Sequence, residues 1–448
     1  MTVPDRPRAE SDPELTVTAT WERPLVPAAG GDATLLVRVV ASPASEAGSH
    51  RRAPLDVAFV LDRSGSMAGE KLPLVKRAVD VAVGFLRDED RAALITYDHI
   101  VSIVHPLQPA TGRAKVALRL ALHGVDAGGS TDLGGCWLAG CRELSDAPPA
   151  GSDAPNGAAP AHRLRRALLL TDGQANVGMV DPAELTAHAH ELRKRGVGTA
   201  TLGVGLGFDE RLLAGLAEAG GGSFRFAAGP AELPAFFAHE LRELLTIAAA
   251  GLTLELTLPA GTDVDLVNAF PAERDGDHLT VALGELPAGG ALDLVLRLRV
   301  PTGRLGDAHH LRLDLAWSDP AADARRSLSV DPDPLIVAAD EAAVETVAPD
   351  PLVAERAALQ LATAERRAAL ALDRAGRHSE SRAGMHRAVA MLQAAPLSAE
   401  VREDLALTVR FAATAAEGAY GELDYKQGAF HNARRARGRR DEADLDGR

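Results

Sequence analysis

The strand–helix alternation that begins near Ala53 constrains this chain more than any other feature. LDVAFVLD (residues 55–62) is an almost unbroken apolar run that closes on Asp62, the pattern of a strand buried on both faces. After it, Val75, Ala78, Val79, Ala82, Val83 and Leu86 recur at helical spacing and form one apolar stripe. The strands AALITYD and VSIV, a helix over 114–122, the strand RRALLLTD and the helix PAELTAHAHELRKRG come next. VGTATLGVG, DERLLAGLAEAG, SFRFA and a closing helix that runs to about Ala250 complete the series. Repeated β–α units of this kind predict a doubly wound α/β fold with a mostly parallel sheet covered on both sides.

The flanks have another texture. Residues 15–41 alternate in two short apolar bursts around RPLVPAAGG, as two strands joined by a turn do. From 251 to 338 the period returns to two in LTLELTL, HLTVALGEL, LDLVLRLRV, LRLDLAW and RSLSV, which predicts an antiparallel β-sandwich. Two strands are too few to fold alone, so the strands of 15–52 are expected to join that sandwich, with the α/β domain of 53–250 inserted between. Within it, 145–162 is Pro, Gly, Ala and Ser with almost nothing to bury and reads as a mobile insertion. Residues 345–440 are Ala-rich and read as three or four helices punctuated by Gly376, Pro396 and Gly418, while 1–14 and 441–448 read as disordered tails.

Composition removes several function classes. The 448 residues carry 48 Lys+Arg against 62 Asp+Glu, a formal charge of −14, and a nucleic-acid binder normally shows the opposite surplus. The run Arg434, Arg435, Arg437, Arg439 and Arg440 reads as a solvated helix end fraying into a tail, with a phosphate or partner contact as the alternative. No apolar run approaches the roughly 18–20 residues that span a bilayer. The opening MTVPDRPRAESDPEL lacks the apolar core of a secretory signal. The only cysteines, Cys136 and Cys141, sit on one helix about 140° apart, a poor arrangement for bridging, and so indicate a reducing compartment such as the cytoplasm.

The chemistry concentrates at three loops. Asp62-Arg63-Ser64-Gly65-Ser66 follows the first strand of the α/β region, Gly129-Ser130-Thr131-Asp132 precedes a later helix, and Thr171-Asp172-Gly173 ends RRALLLTD. Ligands of open parallel sheets bind beyond the carboxyl ends of the strands, so the three segments can converge on one edge. Carboxylates and hydroxyls gathered there are hard oxygen donors that suit Mg²⁺ or Mn²⁺ and suit Zn²⁺ or copper poorly. The same residue types also cap helices, which is the ordinary alternative, and Asp132 reads as such a cap.

Residues 53–250 resemble a von Willebrand factor A domain with its metal-ion-dependent adhesion site of the form Asp-x-Ser-x-Ser, then Thr, then Asp. Asp62, Ser64, Ser66, Thr131 and Asp172 match that pattern in order. The resemblance covers fewer than half the residues, and the flanking strands and helical tail are similar to bacterial multi-domain members. It implies that Ser64 and Ser66 hold the ion directly, that Thr131 does so directly or through water, and that Asp62 and Asp172 act largely through water. Neutral ligands leave the cation under-neutralised, and an Asp or Glu carboxylate of a partner protein completes its shell. In adhesive relatives the last helix of the domain shifts with coordination, so Leu233, Phe236, Phe237, Leu241, Leu244 and Leu245 are either a transmitting face or an ordinary core stripe.

The function expected from these residues is a non-catalytic, Mg²⁺- or Mn²⁺-dependent protein-interaction module. One alternative is a subunit that works with an AAA+ ATPase in a remodelling or metal-insertion machine. The other is a metal-dependent hydrolase using Asp62 as a nucleophile; such enzymes want a second carboxylate two residues on, where this chain has Ser64. No P-loop, HExxH or CxxC pair occurs, and His188, His190, His309 and His310 lack companions at ligand spacing.

Overall fold

The structure is a computed structural model that describes residues 9–11, 15–43, 53–130, 132–146, 163–173, 178–227, 246–320, 324–417 and 420–440. The chain divides into two compact units, one of residues 48–247 with 320–324, the other of 1–47, 248–319 and 325–448. The elements preceding the first unit are strands β1 (Ala9–Ser11), β2 (Leu15–Trp21), β3 (Leu25–Pro27) and β4 (Gly31–Ala41).

The α/β unit holds, in order, β5 (Leu55–Asp62), α1 (Lys71–Phe85), β6 (Arg91–Tyr97), β7 (Val101–Pro109), α2 (Gly112–His123) and α3 (Leu133–Ser145). Then come β8 (Leu164–Thr171), α4 (Pro182–Lys194), β9 (Val197–Val204), α5 (Glu210–Ala219) and β10 (Gly221–Ala227). The strands form one sheet in the order β10-β9-β8-β5-β6-β7, parallel except that β7 runs antiparallel to β6. Every residue of β5 and of β9 is buried, as expected of a parallel sheet covered by helices on both faces. The helix α3 comes close to β5: a Cβ added at Gly140 would lie 2.5 Å from Val60 Cγ2. The insertion read over 145–162 lies, from 147 onward, outside the described residues, as do residues 228–245 with the six apolar positions of the last helix. The expectation that this helix runs to about Ala250 is corrected: β11 already begins at Ile247, and Ala250 pairs with Ser318 across an antiparallel ladder. Three alanines carry no period, so tertiary pairing decides their state.

The second unit continues with β11 (Ile247–Thr257), β12 (Asp263–Leu266), β13 (Ala272–Asp275), β14 (His278–Pro287), β15 (Ala291–Val300), β16 (Ala308–His309), β17 (Arg312–Asp319), β18 (Ala324–Val330) and β19 (Leu335–Ala338). One sheet runs β1-β2-β4-β15-β12 and another β13-β14-β11-β17-β18, while β19 joins β16 to β3. Both larger sheets contribute to a single apolar core, with Leu35, Val37, Leu294 and Leu296 from the first and Leu254, Leu256, Leu313 and Trp317 from the second. The other face of β4 and β15 is covered by a helix, because Leu36 and Val295 cluster with Val353 and Ala357 of the helix Pro351–Arg374.

The helices are α6 (Glu341–Glu345), α7 (Pro351–Arg374), α8 (His378–Ala394), α9 (Ala399–Glu417) and α10 (Glu422–Ala436), followed by strand β20 (Arg439–Arg440). A chain of ion pairs fastens them to the sheet: Arg38 holds Asp293 at 2.6 Å, Arg356 approaches Asp293 at 3.4 Å and Glu400 at 2.7 Å, and Arg435 reaches Glu400 at 2.6 Å.

Two further expectations are corrected here. The disordered tail read over 1–14 is contradicted at Ala9–Ser11, which forms β1, antiparallel to β2, because an open strand edge offers backbone partners regardless of composition; its other residues lie outside the described ones. The arginine run is a helix end at Arg434 and Arg435, with Arg434 exposed, but it does not fray: Arg437 is buried, and β20 pairs with Ala291 and Leu292 of β15.

Candidate metal centre

The parallel sheet reverses its winding at β5. The strand that follows it in sequence, β6, lies on one side, and β8 lies on the other. Ligand sites of open α/β sheets fall at such a switch point, outside the carboxyl ends of the strands. Asp62 is the last residue of β5, Asp172 follows the last residue of the adjacent β8, and both carboxylates are buried.

Local hydrogen bonds fix each group. Asp62 Oδ1 accepts the backbone N–H of Ser64 at 2.8 Å, and Oδ2 accepts the hydroxyl of Thr171 at 2.6 Å. The chain then turns through one 3-10 turn, Gly65–Met67, pinned by the buried Met67, which leaves Ser66 exposed. The hydroxyl oxygens of Ser64 and Ser66 stand 3.0 Å apart, and Ser66 donates to Asp172 Oδ1 at 2.7 Å. Asp172 Oδ2 receives the Lys71 ammonium, which also donates to the Ser66 carbonyl at 3.1 Å. Burial pushes the Asp62 carboxyl above the usual carboxylate range; hydrogen bonds from Ser64 and Thr171 oppose this, and the like charge of Asp172 adds to it. Tyr97, the register partner of Asp62 on β6, is fully buried, and burial first and then the charge of Asp62 hold its phenol well above its ordinary value.

The second loop is tied to the first through backbone. Gly65 N donates to Gly129 O at 3.0 Å, and Gly128 N to Arg63 O at 2.7 Å. Gly129 has φ +80°, and an added Cβ would meet His99 Nδ1 at 2.6 Å and Asp98 Cβ at 2.7 Å, so only glycine fits there. Asp132 N donates to Asp98 O at 2.8 Å, and its side chain accepts from Gly135 N at 3.0 Å as the N-cap of α3. The residues on either side of Thr131 are thus held to the strand ends that carry Asp62; Thr131 itself lies outside the described residues. At the rim, Arg63 pairs with the buried Asp98 at 2.7 Å and His99 lies 3.2 Å from the same carboxylate.

Of the residues expected to form the site, Asp62, Ser64, Ser66 and Asp172 come together. Thr171 and Arg63 lie in the three site loops but carry no role in the sequence reading, and Lys71, Asp98 and His99 lie outside them. Thr171 gives no separate signal because it reads as the last strand residue, and Lys71 looks like any surface lysine at a helix start.

The donor set fits a small divalent cation. An octahedral shell with oxygens at about 2.1 Å places neighbouring donors about 3.0 Å apart, the spacing of the two serine hydroxyls. Among the described residues no group of three or more His, Cys, Asp or Glu side chains is arranged to hold a metal, so a cation here depends on hydroxyls and water beside two carboxylates. That is oxygen chemistry suited to Mg²⁺ or Mn²⁺.

Comparison with known proteins agrees with the fold. Residues 56–239 match the family model of the von Willebrand factor type A domain. The uncharacterized protein YfbK of Escherichia coli is 29% identical over 250 residues, covering 54% of this chain and 41% of YfbK. The uncharacterized protein sll0103 of Synechocystis is 26% identical over 308 residues, covering 66% of this chain and 69% of that one. A solved structure described as von Willebrand factor type A from Catenulispora acidiphila superposes with a TM-score of 0.72 at 19% identity, over 96% of this chain and 98% of that one, a likeness of fold. The α/β unit thus carries, over residues 56–239, a von Willebrand factor type A domain.

Proposed function

We propose that this protein is a non-catalytic, divalent-cation-dependent protein-interaction module, with Mg²⁺ or Mn²⁺ held at Asp62, Ser64, Ser66, Thr131 and Asp172. The observation that carries the reading is the pair of serine hydroxyls 3.0 Å apart beside two buried carboxylates. Ser64 and Ser66 would be direct ligands. Asp62, which already accepts two hydrogen bonds, would act through water. Neutral direct ligands leave much of the cation's charge uncompensated, and an Asp or Glu carboxylate from a partner protein is the ligand that answers it. Arg63 and His99 at the rim both lie against the buried Asp98 carboxylate. The two antiparallel sheets with their shared core serve as a β-sandwich scaffold. The two free, buried cysteines suit a reducing compartment such as the cytoplasm.

The test is calorimetric Mg²⁺ titration of the full chain beside Ser64→Ala/Ser66→Ala, then binding of a Glu-containing peptide with Mg²⁺ or with EDTA. The reading expects metal binding lost in the double variant and peptide binding only with Mg²⁺. Equal metal binding in both proteins refutes the site, and turnover of p-nitrophenyl phosphate abolished by Asp62→Ala refutes the non-catalytic assignment.

A further inference from the structure

The buried carboxylate of Asp172 is not waiting for a cation; it already holds one. Oδ1 takes the Ser66 hydroxyl at 2.7 Å, and Oδ2 takes the Lys71 ammonium. Lys71 is the first residue of α1, where the helix dipole disfavours positive charge, and no acidic residue lies in that first turn. Local sequence therefore gives no reason for a lysine to point there; the carboxylate across the loop does. Its side chain is 37% exposed against 0% for Asp172, so the ammonium end can exchange into water while the carboxylate cannot. The stem runs past the end of β9: a Cβ added at Gly205 would lie 3.4 Å from Lys71 Cε, an ordinary contact that leaves the stem unobstructed. A four-carbon stem with a point charge is suited to swinging between two positions.

We propose that Lys71 is a tethered counter-ion that competes with the divalent cation for Asp172, so that loading the site releases the lysine and the lysine sets the cation affinity. This rests on the metal-site reading above. With Lys71 in place the two carboxylates carry a net charge of −1, and without it −2. Removing a unit positive charge about 5 Å from a dication in a water-like dielectric strengthens its binding on the order of tenfold. Displacement also predicts a chemical signature: the Lys71 amine becomes more reactive when the cation binds.

The experiment is Mg²⁺ calorimetry on the full-length wild type, Lys71→Met, Lys71→Gln and Ser64→Ala/Ser66→Ala. It is paired with acetylation of the wild type by an N-hydroxysuccinimide ester, followed at Lys71 by mass spectrometry with and without Mg²⁺. The expected result is about tenfold tighter binding in both Lys71 variants, no binding in the serine variant, and faster acetylation of Lys71 with Mg²⁺. Unchanged or weaker binding in both Lys71 variants, with binding still lost in the serine variant, overturns the counter-ion and leaves the site standing. Absence of Mg²⁺ binding in the wild type and the Lys71 variants alike refutes the site, and the counter-ion with it.

Discussion

Thr171→Val isolates one contact of the site with little change of shape. The Thr171 hydroxyl is fully buried, donates to Asp62 Oδ2 at 2.6 Å and accepts from Gly173 N at 3.0 Å. Gly173 is only half-buried, so water can replace its acceptor and its share of the cost is small. A hydrogen bond to an ionised group contributes roughly 1.5–3 kcal/mol, so the variant should lose about 2 kcal/mol at pH 7.5 in EDTA. The pH dependence follows from Asp62. Its folded pKa lies above the unfolded 3.8, burial being the largest cause, so the native state holds the proton more tightly than the unfolded chain. Native stability is therefore gained as pH falls through the folded value, and the gain is complete below 3.8. The variant removes a bond that favours the ionised form and raises the folded pKa further. Its deficit is thus largest above the folded pKa and shrinks as pH falls through it.

Urea unfolding can be read through Trp137, the one tryptophan of the α/β unit, which donates to Thr199 Oγ1 at 3.1 Å. Trp21→Phe and Trp317→Phe silence the other unit. A deficit that grows as pH falls from 7.5 would show that Thr171 does not act on the ionised Asp62. The same variant frees one oxygen of the carboxylate to rotate, so Mg²⁺ affinity should also fall, by about tenfold or ~1.4 kcal/mol.

Three other outcomes follow from packing and burial. Gly140→Ala sets overpacking of about 1–3 kcal/mol against Val60 beside a helix-propensity gain of roughly 1 kcal/mol; thermal denaturation should show a net loss near 1 kcal/mol, and a gain would mean α3 has room to move off β5. Arg366 is 1% exposed and bonded to Asp404, Thr408 and Asn432; Arg366→Ala should cost about 3 kcal/mol by leaving the buried Asp404 only Arg435 at 3.6 Å, and Arg366→Met/Asp404→Leu should recover most of it, so a double variant as unstable as the single one refutes the buried-charge argument. Burial pushes the Cys141 thiol up to about 12 and the Cys136 thiol well above its ordinary value, so Ellman's reagent should leave the native protein unlabelled at pH 8 and titrate two thiols in guanidinium.

What was legible in the sequence followed burial. LDVAFVLD and VGTATLGVG read as doubly buried strands because helices cover both faces of a parallel sheet, and β5 and β9 are buried throughout. LDLVLRLRV reads as an alternating strand with one wet face, yet β15 is buried at every position from Ala291 to Leu296. The reason is distant in sequence: α7 covers its second face, and Arg38 pairs with Asp293, so a carboxylate that looks solvent-facing lies inside. Strand β3 is three residues long and pairs in parallel with β19 more than 300 positions away, and β20 is two arginines on the edge of β15. No local pattern marks such segments, because their state is decided by the backbone that happens to lie beside them.

The candidate site divides along a similar line. Asp62, Ser64, Ser66 and Asp172 stood out because oxygen chemistry restricts the residue types that can serve and because strand ends restrict where they lie. Lys71 did not stand out, since any long cationic side chain within reach can neutralise a carboxylate. Its reach depends on α1 beginning five residues after Ser66 and on the end of β8 bringing Asp172 beside that start, and the second of these exists only in three dimensions. A site can therefore display its ligands in sequence while concealing what competes for them. If cation affinity here is set by that competition, the same five site residues on a chain lacking the lysine would bind Mg²⁺ more tightly, and conservation of the ligands alone would not rank such chains by affinity.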